Sequence, residues 1–235
     1  MKKYWALSHL AVALAVAAGL LAGCGGGSDD EAGGNPSADT YNVRAAMANL
    51  LTQGGSWTGL AGRASNGVNY TVALSSTPGA RQNFPKTGEL LDRTTQVLTV
   101  EGGGERLSAS TSVYYNRTTG KLAGTLDEDN NCSVITHTVD TLPTAARAGD
   151  NGEYFRTVDY TGCSSVIPTG GSRTNWSLDA VGGRAYFCLS TTYTDGSGVE
   201  SECVQVETDG SLRQKARVFL RLIDGGDTFE LDASN

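Results

Sequence analysis

From Ser56 to the C-terminus, apolar residues fall at every second position, and this alternation constrains the chain more than any other feature. Val68, Tyr70, Val72 and Leu74 share one face, with Asn69, Thr71 and Ser75 on the other. The pattern returns in Leu107-Ala109-Thr111-Val113-Tyr115, Trp176-Leu178-Ala180, Ala185-Phe187-Leu189 and Ala216-Val218-Leu220-Leu222. A period of two belongs to strands with one face buried and the other wet, whereas a helix repeats every ~3.6 residues. Short turn signals separate the runs: Ser65-Asn66-Gly67, Gly102-Gly103-Gly104, Asp129-Asn130-Asn131, Gly182-Gly183, Asp195-Gly196 and Gly225-Gly226. About twelve strands result, and most links are too short to cross a sheet, so neighbours pair antiparallel. The expected fold is all-β: an antiparallel up-and-down meander, arranged as a barrel or a sandwich. Closure into a barrel removes the unpaired edges.

One segment departs from this period. Over residues 41–52, Val43, Ala46, Met47, Leu50 and Leu51 recur at helical spacing and make one apolar stripe. Asp39 or Thr40 can serve as N-cap, and Gly54-Gly55 ends the helix. The stripe predicts a helix docked on the body as a lid or plug. Arg44 is its single basic residue, too few for a helix that lies on a membrane.

The cysteines offer a check on strand register. The midpoint between Cys188 and Cys203 falls between Asp195 and Gly196, a strong hairpin turn signal. That register sets Phe187 opposite Val204 and Ala185 opposite Val206, apolar against apolar, and places a Cys188–Cys203 disulfide on the outward face. Opposed Cα atoms in such a ladder lie ~4.5–5.5 Å apart, within disulfide reach. Cys132 and Cys163 flank a loop without strand pattern, from Thr141 to Gly152. Pairing them symmetrically sets Ile135 opposite Tyr160 and His137 opposite Val158, which points His137 inward beside Ile135. A Cys132–Cys163 bond of this kind joins the two halves of the strand region into a single domain over residues 41–235.

Ahead of the body, Lys2 and Lys3 precede an apolar run from Ala11 to Leu21. The run is shorter than the ~20 residues needed to span a bilayer and has the flanks of an export signal. It closes on Leu21-Ala22-Gly23-Cys24 and hands over to Gly25-Gly26-Gly27-Ser28-Asp29-Asp30. This resembles the lipobox of bacterial lipoproteins. The resemblance covers about the first 30 residues and implies that residues 1–23 are a signal peptide. It further implies that Cys24 is acylated, and that Gly25, in place of an aspartate, directs the protein to the outer membrane. Residues 24–40 then form a Gly-, Ser- and Asp-rich tether with an r.m.s. span of roughly 20 Å.

Removing residues 1–23, which hold two lysines and no acid, leaves 212 residues with 16 Lys+Arg against 25 Asp+Glu. No basic stripe is present, which argues against a nucleic-acid partner. An even count of four body cysteines in an exported chain reads as two disulfides. With His137 as its single histidine, the mature chain is a poor candidate for a zinc site, and no cofactor motif occurs.

Candidate chemistry is sparse. The G-x-S-x-G and H-E-x-x-H signatures do not occur. His137 is a core or rim histidine, or a polar group in a ligand cavity. Asp127-Glu128-Asp129, the Asp150/Asn151/Glu153 group and Asp224-Gly225-Gly226-Asp227 read as solvated turns. No pair of carboxylates stands out for glycoside hydrolysis, although strands can bring two acids together. Tyr114, Tyr186 and Phe219 fall on the outward face. Three readings of function follow. The first is a lipid-anchored, non-catalytic envelope module that binds a small ligand or a protein partner. The second is a hydrolase of envelope or extracellular polymers working through a carboxylate pair. The third is a structural accessory of an outer-membrane complex.

Overall fold

The computed structural model describes residues 38–138 and 141–235. Cys24, the signal segment 1–23 and most of the 24–40 tether lie outside the described residues. One helix, α1 (Val43–Thr52), precedes twelve strands. The first six are β1 (Gly55–Ala64), β2 (Asn69–Asn83), β3 (Leu90–Gly102), β4 (Glu105–Tyr115), β5 (Leu122–Asp127) and β6 (Cys132–Thr138). The second six are β7 (Asn151–Tyr160), β8 (Gly170–Val181), β9 (Arg184–Tyr193), β10 (Gly198–Val206), β11 (Leu212–Asp224) and β12 (Asp227–Ser234). Each strand pairs antiparallel with its chain neighbour, and β12 closes on β1, so the meander is a barrel and not a sandwich.

The alternating apolar residues point into the barrel. Val72, Leu74, Phe187, Leu189, Val218 and Leu220 are all buried there. The helix closes the end at which β1 begins. Val43, Ala46, Met47, Leu50 and Leu51 join the same core as the strands, as the helical stripe requires. The last carbonyls of a helix have no partner within it. Here three strands supply the missing donors. Ser76 Oγ of β2 donates to the Leu50 carbonyl at 2.8 Å, while Thr94 Oγ1 of β3 and Tyr115 OH of β4 both donate to that of Leu51, the tyrosine at 3.1 Å. The helix is thus a plug held by its C-terminus.

At its other end the helix starts two residues later than the sequence suggests. Tyr41 is drawn into a two-way bridge with Ala146, Tyr41 N to Ala146 O at 2.8 Å and Ala146 N to Tyr41 O at 2.9 Å. That extends the backbone past Asp39 and Thr40, so Asn42 becomes the N-cap and accepts from Ala45 N at 3.0 Å. Gly54 makes the exit turn at φ 70°, where an added Cβ would lie 2.1 Å from the Ser76 carbonyl oxygen. Only glycine fits there.

The Cys188–Cys203 disulfide joins directly opposed residues, Cα–Cα 4.0 Å, in the register read from the sequence. The second disulfide also forms, but in a different register. Cys132 opposes Tyr160, and Cys163 lies beyond β7 in the loop before β8, which folds back to close the bond. That loop meets another on the outer wall. The β2–β3 connection lays Phe84 on Tyr114, ring centroids 4.9 Å apart, with both residues 0 % exposed. Lys86 then reaches across, with Nζ 3.5 Å from the centroid of the Tyr160 ring and a hydrogen bond to the Ser165 carbonyl. Tyr114 and Tyr186 do face outward, yet both are buried.

Candidate functional site

His137 does not face the interior. The β6–β7 ladder shifts register between Ile135 and His137, and the bulged residue turns every later side chain over. The imidazole is 60 % exposed, with Nε2 3.9 Å from Glu153 Oε1. The expectation that it lines a ligand cavity is therefore corrected. Glu153 is the centre of an outer-wall ion cluster. Arg156 binds both its oxygens, at 2.8 and 2.9 Å, and Arg173 Nε adds a third contact at 2.7 Å. The Arg156 hydrogen bonds first, with Arg173 behind them, hold the Glu153 carboxyl down at about 2.

Asp127–Asp129 and Asp224–Asp227 sit at hairpin turns, but Asn151 and Glu153 fall inside β7, so the reading of the Asp150/Asn151/Glu153 group as a solvated turn is corrected. Asp127 accepts from Asn131 N at 2.7 Å and from Asn131 Nδ2 at 2.9 Å, closing the β5–β6 hairpin. Asp179 lies against Cys188, with Oδ2 3.5 Å from Sγ, but both nearby sulfurs are spent in the disulfide and offer no thiolate to a metal.

Two features remain that the sequence did not announce. The first is an acid pair inside the barrel. On β10, Glu200 opposes Thr191 and Glu202 opposes Leu189, which places both carboxylates on the inner face. Glu200 is 1 % exposed and its Oε2 has no hydrogen-bond partner among the described residues. The two carboxyls hydrogen-bond each other, and the Tyr193 hydroxyl bonds Glu200. Burial, reinforced by its neighbour's charge, pushes Glu200 far above the carboxylate range; burial alone raises Glu202 to about 7. Two carboxylates this close cannot both ionise cheaply in a low-dielectric interior, so near neutrality the pair keeps a proton between them. A void of about 10 Å³ lies beside Glu202, bordered by Ser76 and Gln96. That is room for about one water and for no substrate. The signal for this pair was present in the alternation, because the register that opposes Val204 to Phe187 also carries Glu202 and Glu200 inward.

The second feature is a cleft of about 590 Å³ beside the plug. Its walls are α1, the β4–β5 turn, the end of β6, residues 141–142 and Tyr154 at the start of β7. The helix contributes Met47 and Leu51, and Ile135 and Leu142 extend the apolar floor. Arg44, Arg117 and Lys121 stand on the rim, and among the described lining residues there is no acid. Arg44 is tethered by Nε to the Leu142 carbonyl at 3.0 Å. Tyr154 is 5 % exposed and lines the cleft. Burial raises its pKa, so it stays a neutral donor. The volume lies within the ~300–1,000 Å³ of small-molecule sites.

No protein-family model matches the chain, and neither a curated protein nor a solved structure is similar to it.

Proposed function

We propose that the chain is a lipid-anchored protein of the bacterial cell envelope whose plugged barrel acts as a non-catalytic binding module. In this reading residues 1–23 direct export and Cys24 carries the lipid at the outer membrane. The body then offers the cleft beside α1 to a small ligand or a partner segment. The cleft carries the binding half of this reading, because it joins an apolar floor, three cations and a phenol in one opening. Two disulfides suit the oxidising compartment that the signal segment implies. A polymer hydrolase is favoured less. The carboxylate pair found on the inner face among the described residues, Glu200 and Glu202, adjoins a void of about 10 Å³, whereas glycosidase carboxylates stand ~5–9.5 Å apart with the sugar between them.

The anchoring half is tested by growing a bacterium that expresses the full chain with an alkyne-bearing palmitate. The wild-type chain should take up the label and sediment with membranes, and C24A should lose both properties while keeping both disulfides. An unlabelled wild-type chain in the soluble fraction would overturn the anchor.

A further inference from the structure

We infer that the cleft beside α1 binds an amphiphilic anion: a carboxylate or phosphate group carried on an apolar body. The inference rests on the reading of this cleft as the ligand site and names the chemistry that fills it.

The chain as a whole is acidic, with a formal charge of −7, so three cations around one opening run against the general composition. Arg117 and Lys121 make no ion pair among the described residues, although several other arginines of the barrel do. They sit four residues apart on the short β4–β5 turn, where Asn116 Oδ1 accepts from the backbone N–H groups of Thr118 and Thr119 at 3.0 and 3.1 Å. That turn geometry is fixed by its own backbone, which holds the two cations over the cleft without neutralising them. Arg44 approaches from the helix and spends only Nε on Leu142. Its terminal nitrogens stay available, and a guanidinium with free nitrogens suits a planar or tetrahedral oxyanion.

Below this rim the surface changes character. Met47, Leu51 and Leu142 are buried side chains whose edges form the floor. Methionine adapts its shape to irregular apolar ligands. Tyr154 stands between floor and rim. Its ring is buried while the residue lines the cleft, which suits a phenol with one apolar end and one polar end. A ligand oxygen placed under the cations would give this neutral donor an acceptor. An inorganic anion would leave the floor unused, and a neutral hydrocarbon would leave the cations and the phenol unused. A molecule with both parts uses all of them.

The test uses the full chain in phosphatidylcholine nanodiscs and a photoreactive dodecanoate with its diazirine at the chain terminus. After irradiation, peptide mapping should place the label on the segments containing Met47, Leu51, Leu142 or Tyr154. Unlabelled dodecanoate should compete, while dodecanol and inorganic phosphate should not. The double variant R117E/K121E should lower labelling roughly tenfold or more, as the loss of two charge-assisted contacts implies. Y154F, which keeps the ring and the fold, should lower it several-fold. A second arm carries photoreactive phosphatidylglycerol in the disc. Labelling of the cleft from the disc identifies a bilayer lipid as the source of the anion, and labelling by dodecanoate alone identifies a free acid; either supports the inference. Labelling by neither, or labelling that R117E/K121E leaves unchanged, overturns it. Equal competition by dodecanol overturns the anionic part while leaving the cleft a ligand site, and a failed palmitate label would refute the anchor without touching this result.

Discussion

Replacing Glu202 by glutamine should make the barrel more stable in alkali, and the size of the gain follows from the burial of the pair. Glu202 rises from 4.5 to about 7 in the folded chain. A tenfold change in a group's acidity on folding is worth ~1.36 kcal/mol, so the contribution of Glu202 is on the order of 3 kcal/mol. The folded value lies above the unfolded one. The stabilisation is therefore complete below pH 4.5, where both states hold the proton, and declines as pH rises toward 7. Above the folded value it is gone. Glu200 acts in the same direction and carries the decline further into alkali. A glutamine has no proton to lose, fits the same space and can still donate to the Glu200 carboxylate. The wild type and E202Q should match near pH 4.5 and diverge by roughly 2–3 kcal/mol near pH 8, with the variant the more stable. Urea unfolding of the full chain in mild detergent, with disulfides intact, followed by tryptophan fluorescence from pH 4.5 to 8.5, measures this difference. Titrations away from the Glu200–Glu202 pair cancel between the two proteins. Parallel stability curves, or a variant weaker than the wild type at pH 8, would refute the inward placement of the acid pair.

Other perturbations have outcomes set by the same geometry. Non-reducing peptide mapping should recover Cys132–Cys163 and Cys188–Cys203 and no other pairing, and C188S/C203S should cost roughly 3 kcal/mol, the chain-entropy value for a loop of about 15 residues. Removing the donors that hold the plug, in S76A/T94A/Y115F, should cost about 1 kcal/mol per bond. Hydrogen exchange should then speed up over residues 43–52 while the strands stay protected. H137A should change stability by less than ~0.5 kcal/mol in denaturant titrations, because the imidazole stands on the outer wall. A loss of several kcal/mol would mean that it is buried. G54A should destabilise by more than ~1 kcal/mol in the same titrations, since the added methyl meets the Ser76 carbonyl at a positive φ.

The parts of this fold that were legible in the sequence are those governed by local rules. Alternation and glycine turns marked the strands and their order of pairing. Around Asp195-Gly196 a tight hairpin locks the register, so the opposition of Cys188 to Cys203 could be read residue by residue. The Cys132–Cys163 bond was readable as a pair but not as a ladder, because Cys163 belongs to a returning loop whose shape is set by contacts with the 84–89 connection. His137 was misplaced for a related reason. A one-residue bulge inverts a strand, and nothing in Ile135-Thr136-His137 marks it. The helix start was lost to a non-local bridge between Tyr41 and Ala146. The acid pair stayed hidden because charged residues within a strand ordinarily belong to the wet face, and here alternation carries them inward. The cleft is assembled from five separated segments and leaves no signature in any one of them.

Native mass spectrometry of the full-length protein, extracted from membranes in a mild detergent, reads the anchor and the cleft in one spectrum. The expected species begins at Cys24, carries a diacylglyceryl group with or without a further acyl chain, and retains a small anionic adduct that R117E/K121E loses. An unacylated chain that still contains residues 1–23, with no adduct in either protein, would contradict both the lipid anchor and the occupied cleft.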